Sequence, residues 1–357
     1  IFEMPVENLP KGSIVDLWCP FHSYPTGTGH KFAVEYRDGK KWLPVVALEE
    51  DGSNFRTSKI ARSGHFWHSF RLQKEVKKGV VAVRLRQVED LVGASYVSFP
   101  SGKGVHPQMI CYPAREIRDT TKVLFVGNSY SYYNTYPFIF KDIAMREGHY
   151  TECRMTYVGG YTMTKHLAYQ PSIDAITAGG YDYAFLQDQS LHSLRIGTSV
   201  DMNVVGEMGK MVAKVKEHSP EAKCIIELTW GRRDGNNTIK GKKLEDLVNG
   251  YPHFFSDYAT NQNIMTKNTT AMAQKLGVGL SPVGIAWQIV RRERPEIELY
   301  VKDGSHPSYT GSYLAAAVGY LTLFKEPFKA DTPIRLKPEV AKYLRSVAER
   351  VVLKGEK

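Results

Sequence analysis

The sequence predicts an all-β sandwich over residues 1–117, followed over residues 118–357 by an α/β domain whose parallel sheet is covered by helices on both faces. Three observations predict it: short strand-like runs separated by turn residues in the first third, a change of hydrophobic period near residue 118, and strand–helix alternation from there on. At roughly 150 residues per domain, a chain of 357 residues has room for two. Its 42% hydrophobic content supplies both cores and excludes general disorder.

The first domain reads as strands at Ser13–Leu17, Lys31–Tyr36, Trp42–Leu48, Phe66–Leu72, Gly79–Gln87 and Ser95–Phe99, each rich in valine, aromatic or alternating residues. Asp38-Gly39, Asp51-Gly52-Ser53-Asn54 and Ser101-Gly102-Lys103-Gly104 between them are turn formers, because glycine and asparagine accept positive φ. The boundary falls in the charged stretch near Pro113–Thr121.

In the second domain Lys122–Val126 is an apolar, β-branched run, Tyr136–Arg146 has helical spacing, and Gly148 sits where that helix stops. Strands follow at Glu152–Val158, Asp182–Leu186, Cys224–Leu228 and Val278–Ser281. Helices are predicted at Thr162–Ala178, Val204–His218, Ser256–Leu276, Tyr309–Leu323 and Pro338–Leu353. Such alternation implies right-handed crossovers and a parallel sheet, with function at the carboxyl ends of the strands.

Composition narrows the function class. The excess of 47 basic over 37 acidic residues is spread along the chain, and its short clusters, such as Lys240-Gly241-Lys242-Lys243, carry no nucleic-acid motif. A basic surface of this kind favours an acidic partner such as a uronic-acid polysaccharide. The longest apolar runs, such as Ala315–Val318, fall far short of the ~20 residues a spanning helix needs. Cys19, Cys111, Cys153 and Cys224 have neither zinc nor redox-pair spacing. Cys153 and Cys224 read as buried small hydrophobes, and a Cys19–Cys111 disulfide is open if the protein is exported. The chain starts at Ile1 with no apolar signal segment, so an exported and processed protein, periplasmic or extracellular, is the expectation. His22, His30, His65 and His68 lack a matching carboxylate or cysteine cluster, so no metal site is predicted.

Two segments carry candidate chemistry. In Gly127-Asn128-Ser129-Tyr130-Ser131, Ser129 stands where a strand gives way to a helix, so that its hydroxyl and its N–H can both face a ligand. It is not an α/β-hydrolase elbow, because Ser131 occupies the place of that motif's second glycine. In Asp303-Gly304-Ser305-His306-Pro307, a carboxylate and an imidazole stand three residues apart before a helix, and a histidine base needs such a partner to fix its tautomer. Read alone, Asp303 is equally a turn or cap residue and His306 a helix-start residue.

Lys122–Tyr130 together with Asp303-Gly304-Ser305-His306 resembles the SGNH (GDSL-type) hydrolase superfamily, and most closely a bacterial branch with a Gly-Asn-Ser block and a Leu-Gln-x-Gln-Ser segment. The resemblance covers roughly residues 120–325 and implies a three-layer α/β/α, flavodoxin-like domain without a cofactor. It implies a triad of Ser129, His306 and Asp303, and an oxyanion hole built from the N–H groups of Ser129 and Gly160, within Gly159-Gly160-Tyr161-Thr162. The family's third block normally supplies an asparagine. Here Leu186-Gln187-Asp188-Gln189-Ser190 has none, and Gln189, or less well Gln187, offers the same amide donor on one more methylene.

Tyr130, His166, Trp230 and Arg232 are the candidates for substrate contact, Arg232 because a guanidinium fork can clamp a carboxylate. His166 reads equally as a packed residue and Arg232 as an ordinary loop arginine. The implied activity is serine ester hydrolysis on acylated, most simply O-acetylated, oligo- or polysaccharide. The rivals are a glycan-binding protein with a weakened hydrolase domain and a lipase or thioesterase of the same superfamily. The β-domain is expected to position substrate or to rim the cleft.

Overall fold

Side-chain alternation decides the layers of the first of two units, Ile1–Arg118 and Asp119–Lys357. The computed structural model describes residues 1–24, 30–44, 58–60, 63–87, 96–98, 108–113, 120–196, 203–235, 257–330 and 335–357. The first unit contains β1 (Phe2–Leu9), β2 (Ile14–Tyr24), β3 (His30–Asp38), β4 (Lys41–Pro44), β5 (Ser58–Ile60), β6 (Ser63–Arg71), β7 (Val76–Gln87), β8 (Tyr96–Ser98) and β9 (Gln108–Tyr112). One antiparallel sheet runs β1-β7-β3-β4, with β5 also on β3, and the other runs β6-β2-β8, with β9 also on β2. Val15, Leu17 and Phe70 from the second sheet meet Val34, Tyr36, Val81 and Val83 from the first in one core.

The sequence reading misses β1, β5 and β9. Pro5 stands within β1, which among the described residues pairs with β7 alone, and an edge strand can lose a donor at proline. Residues 45–48 of the predicted Trp42–Leu48 strand, and most of the predicted boundary stretch, lie outside the described residues. A Cys19–Cys111 bridge is ruled out by register. Cys111 lies opposite Val15 of β2, four residues from Cys19, about 13 Å along an extended strand, and it is a free thiol. Burial pushes that thiol up to about 12, helped by the nearby Asp16 charge.

The second unit contains β10 (Thr121–Gly127), α1 (Ser129–Tyr132), α2 (Tyr136–Arg146), β11 (Thr151–Tyr157), α3 (Met163–Leu167), α4 (Gln170–Thr177), β12 (Tyr183–Leu186), α5 (Val204–His218), β13 (Lys223–Glu227), α6 (Tyr258–Leu276), β14 (Gly279–Ser281), α7 (Val283–Glu293), α8 (Tyr309–Phe324) and α9 (Pro338–Lys354). The sheet is parallel throughout, in the order β11-β10-β12-β13-β14. Along β10, Val123 and Phe125 point into a core shared with α2, α7, α8 and α9, whereas Leu124 and Val126 point into one shared with α4, α5 and α6. The strand is therefore apolar and buried on both faces from Val123 to Val126. This is the three-layer α/β/α architecture, preceded by a separate antiparallel β-domain.

Two helical expectations need correction. The predicted Thr162–Ala178 helix is two, α3 and α4, broken at Tyr169, whose backbone is extended ahead of Pro171 at the start of α4. Pro171 has no N–H to donate to the carbonyl four residues back, so it cannot continue the hydrogen bonding of the turn before it. The helix α7 begins directly after Pro282 and was not predicted. The connection from β10 leads to β11 on one side, and the next crossover passes to β12 on the other. The crevice at the carboxyl ends of β10 and β12 is thus the topological switch point where open α/β sheets place their ligands.

Candidate active site

The turn after β10 is built on buried side-chain bonds from neighbouring strand ends. Gln187, just past β12, accepts at Oε1 from the Asn128 N–H (3.0 Å) and the Ser131 hydroxyl (2.9 Å). Its amide nitrogen donates to the Asp188 carbonyl. A Cβ on Gly127 would stand 2.2 Å from Ser131 Oγ and 2.9 Å from Gln187 Oε1, so the residue before the turn has to be glycine. Asn128 caps α1: its Oδ1 accepts from the Tyr130 N–H at 3.2 Å, while its Nδ2 donates to the Tyr161 carbonyl at 3.0 Å. An aspartate would keep the cap and lose the donor, which explains the amide at this position. The result fixes Ser129 at the first position of α1, 9% exposed.

His166 braces the same turn from below. It is fully buried, with Nε2 2.9 Å from the Gly127 carbonyl and Nδ1 2.7 Å from Ser172 Oγ. A carbonyl only accepts, so Nε2 carries the proton and Nδ1 accepts from the serine. Burial lowers the ring's pKa to about 4, against the opposing pull of the Gly127 bond and the Asp188 charge.

The other half of the site is the loop before α8. His306 Nε2 lies 2.9 Å from Ser129 Oγ, and His306 Nδ1 lies 2.6 Å from Asp303 Oδ2. The second oxygen of Asp303 accepts from the N–H groups of Ser305 (2.8 Å) and His306 (2.9 Å). Burial pushes the Asp303 carboxyl upward, but the His306 ring and these two N–H groups together hold it below the usual carboxylate range. The imidazole lies flat on Tyr133, with ring centroids 4.2 Å apart, and meets Tyr130 edge-on.

An aromatic column supports this loop. Tyr130, Trp230 and Trp287 stack in parallel, with centroid spacings of 4.6 and 4.0 Å. The Trp230 indole N–H donates to the Ser305 carbonyl at 3.0 Å, and the Tyr130 hydroxyl is 2.8 Å from Ser305 Oγ. Asn134, in a left-handed conformation, ties the nucleophile segment to the loop by donating to the Pro307 carbonyl at 3.0 Å. Asn128, Tyr133, Asn134 and Ser305 were not singled out for these roles in the sequence. Their contacts span more than 170 residues of chain in the last three cases, and no local pattern signals them.

Gly160, in the turn after β11, is exposed, with φ of +69° and open space where a Cβ would stand. A side chain there would be strained. Neither its N–H nor that of Ser129 has an acceptor among the described residues. Gln189 is half-buried; its Oε1 accepts from the Leu191 N–H, leaving its Nε2 without a partner among the described residues. Gln187 is unsuited to oxyanion donation, since its amide is consumed in the turn. Asp188, between them, accepts from the Met163 and Gln189 N–H groups and faces His192 Nδ1 at 3.1 Å, pinning the start of α3.

Of the four residues expected to touch substrate, three are packed instead. His166 is 0% exposed, Trp230 1% and Tyr130 5%, each spent on the braces described above. Arg232, part-exposed on the loop after β13, is the fourth. Among the described residues no cluster of histidine, cysteine, aspartate and glutamate has the makings of a metal site. No described helix is long and apolar enough to cross a membrane.

No family model matches the chain, and no curated protein does. Solved structures do. A DUF4886 family protein from Bacteroides uniformis superimposes with a TM-score of 0.53 at 17% identity, over 67% of this chain and 97% of the other. A protein assigned to the SGNH hydrolases from Slackia heliotrinireducens gives 0.45 at 23% identity, over 57% and 100% of the two chains. An acetylxylan esterase from Geobacillus stearothermophilus gives 0.41 at 13% identity, over 58% and 95%. At these identities the likeness is one of fold.

Proposed function

We propose that the second unit is a serine ester hydrolase with Ser129 as nucleophile, His306 as general base and Asp303 as its orienting carboxylate. The observation that carries the reading is the unbroken relay from Ser129 Oγ through both ring nitrogens of His306 to Asp303, at 2.9 and 2.6 Å, placed at the switch point of the sheet. In the first step His306 Nε2 takes the hydroxyl proton as Ser129 Oγ attacks the ester carbonyl. The oxyanion is met by the N–H groups of Ser129 and Gly160, with Gln189 Nε2 as third donor. The protonated ring then gives its proton to the departing alcohol, leaving an acyl-serine. Water, deprotonated by the same nitrogen, releases the acid and restores the serine.

The acyl group in this reading is small and the alcohol a sugar, most simply an O-acetylated oligo- or polysaccharide. Tyr132, part-exposed, lies against Gly159 and packs on the part-exposed Tyr157, and Tyr161, also part-exposed, follows Gly160 in the chain; rings with polar ends suit a sugar face better than an alkyl chain. The test uses p-nitrophenyl esters of rising chain length and acetylated oligosaccharides, with the wild type beside Ser129→Ala. The expected result is acetate release that the substitution lowers roughly 10⁴- to 10⁶-fold at unchanged thermal unfolding. Glycan binding without turnover in both chains points instead to a binding protein. Preference for octanoate or longer overturns the carbohydrate assignment.

A further inference from the structure

Three arginines meet at the loop after β13, two from the loop itself and one from α7, and two of the three are occupied. Arg233 pairs with Asp234 at 3.2 Å and Glu298 at 3.5 Å. Arg291, reaching in from α7, lies over the Tyr258 ring at 3.7 Å and donates to the Arg233 carbonyl at 2.8 Å. The Arg232 side chain has no hydrogen bond or ion pair among the described residues, and its Nε is buried without an acceptor. Leaving a guanidinium N–H desolvated and unpaired is costly, so its persistence calls for a ligand.

The backbone around Arg232 is rigid and tied to the relay. On one side Trp230 donates to the Ser305 carbonyl, and on the other the Arg233 N–H donates to the Gly304 carbonyl at 2.7 Å. Gly231 between them donates to Gln262 and accepts from the Tyr300 hydroxyl. Arg232 is thereby bracketed by two bonds to the segment joining Asp303 to His306. Its charge also acts on the Tyr130 hydroxyl, next in sequence to Ser129.

We infer that Arg232 is an anion-reading subsite, which selects esters whose alcohol is an acidic sugar, the guanidinium fork taking a uronate carboxylate close to the acylated hydroxyl. The inference rests on the hydrolase reading above and names its substrate class. The net charge of +10 agrees with an acidic polymer, and a planar fork matches a carboxylate in two parallel bonds where lysine offers a point charge.

The experiment compares an O-acetylated methyl glucuronoside with the methyl ester of its uronate carboxyl, which removes the charge and leaves the acetyl group in place. The wild-type chain should prefer the free acid by about 10- to 100-fold in kcat/KM, the range of a charge-assisted bond. The preference should reside mostly in KM and shrink with added salt. Arg232→Gln should bring the ratio of the two substrates toward one, Arg232→Lys should keep part of it, and Arg232→Glu should invert it. A wild-type ratio near one overturns the subsite while acetate release from both substrates leaves the hydrolase reading standing; that measurement needs no variant to fold. A ratio that survives Arg232→Gln also overturns it. No release from any ester removes the hydrolase reading and the subsite together.

Discussion

The two halves of the relay are held by opposite means. The nucleophile turn is buried, and its polar groups are bonded to strand ends and to side chains far away in sequence: Gln187, Tyr161, and His166 on the Gly127 carbonyl. The histidine loop is part-exposed and bonds mostly to itself, through Asp303 at two and three residues' distance, while resting on an aromatic platform. In the first half position and stability are therefore one property, because every bond removed strands a desolvated partner. In the second they are separable, since the exposed carboxylate can change without opening the core.

The contrast can be broken most sharply at Asp303. Asp303→Asn keeps an acceptor for the Ser305 and His306 N–H groups but presents an amide donor to Nδ1, favouring the wrong tautomer. The expected outcome is a loss of about 10⁴ in kcat with an unfolding midpoint close to wild type. A large fall in the midpoint would mean that the loop too is part of the core. Gln187→Leu should do the reverse, stranding the Asn128 N–H and the Ser131 hydroxyl at once. At about 1–3 kcal/mol per orphaned group, roughly 4 kcal/mol of stability should go, and urea unfolding would measure it. Retained stability would show that the turn holds without its amide.

The smallest expected effect concerns His166. Its pKa falls to about 4 on folding, from an ordinary 6.5, so between these values the unfolded chain binds a proton that the folded chain does not. Stability contributed by the neutral ring is complete above pH 6.5 and is lost as pH drops toward 4, by at most about 3 kcal/mol at 1.36 kcal/mol per unit. Glu227 works in the opposite direction: burial raises its carboxyl to about 7, so stability falls as pH rises from the ordinary 4.5. A His166→Gln chain isolates the first slope by difference. Urea midpoints at pH 7, 5.5 and 4 that run parallel in the two chains would show that the buried ring does not titrate as described.

The same contrast explains what was legible in the sequence. Period and composition find elements whose residues answer to their own neighbours. Tyr136–Arg146 and Val204–His218 come out residue for residue, and β10 stands out because both of its faces are buried. The Asp303–His306 spacing is legible for the same reason, since three residues suffice to place a carboxylate beside an imidazole. What was misread depends on distant partners. Trp230 looks like a rim residue by position, and only tertiary packing turns it inward, whereas the packed reading of His166 holds. The strand β1, which carries Pro5, was missed, and only its pairing with β7 reveals it as an edge. Gln187 and Gln189 have the same chemistry two residues apart, and only the Asn128 and Ser131 bonds decide which of them is already engaged.

The tryptophan pair behind the histidine loop has an optical consequence. Of the five indoles in the chain, Trp230 and Trp287 are those of the second unit, and they lie face to face at 4.0 Å with planes 4° apart. Transitions held that close mix, and the resulting near-ultraviolet dichroism depends on the mutual tilt of the rings. The indole that is half of this chromophore also grips the Ser305 carbonyl. Seating of the loop can therefore be followed spectroscopically in the free protein, with no dye or turnover, and an unseated loop would betray itself as a loss of that band before any assay is run.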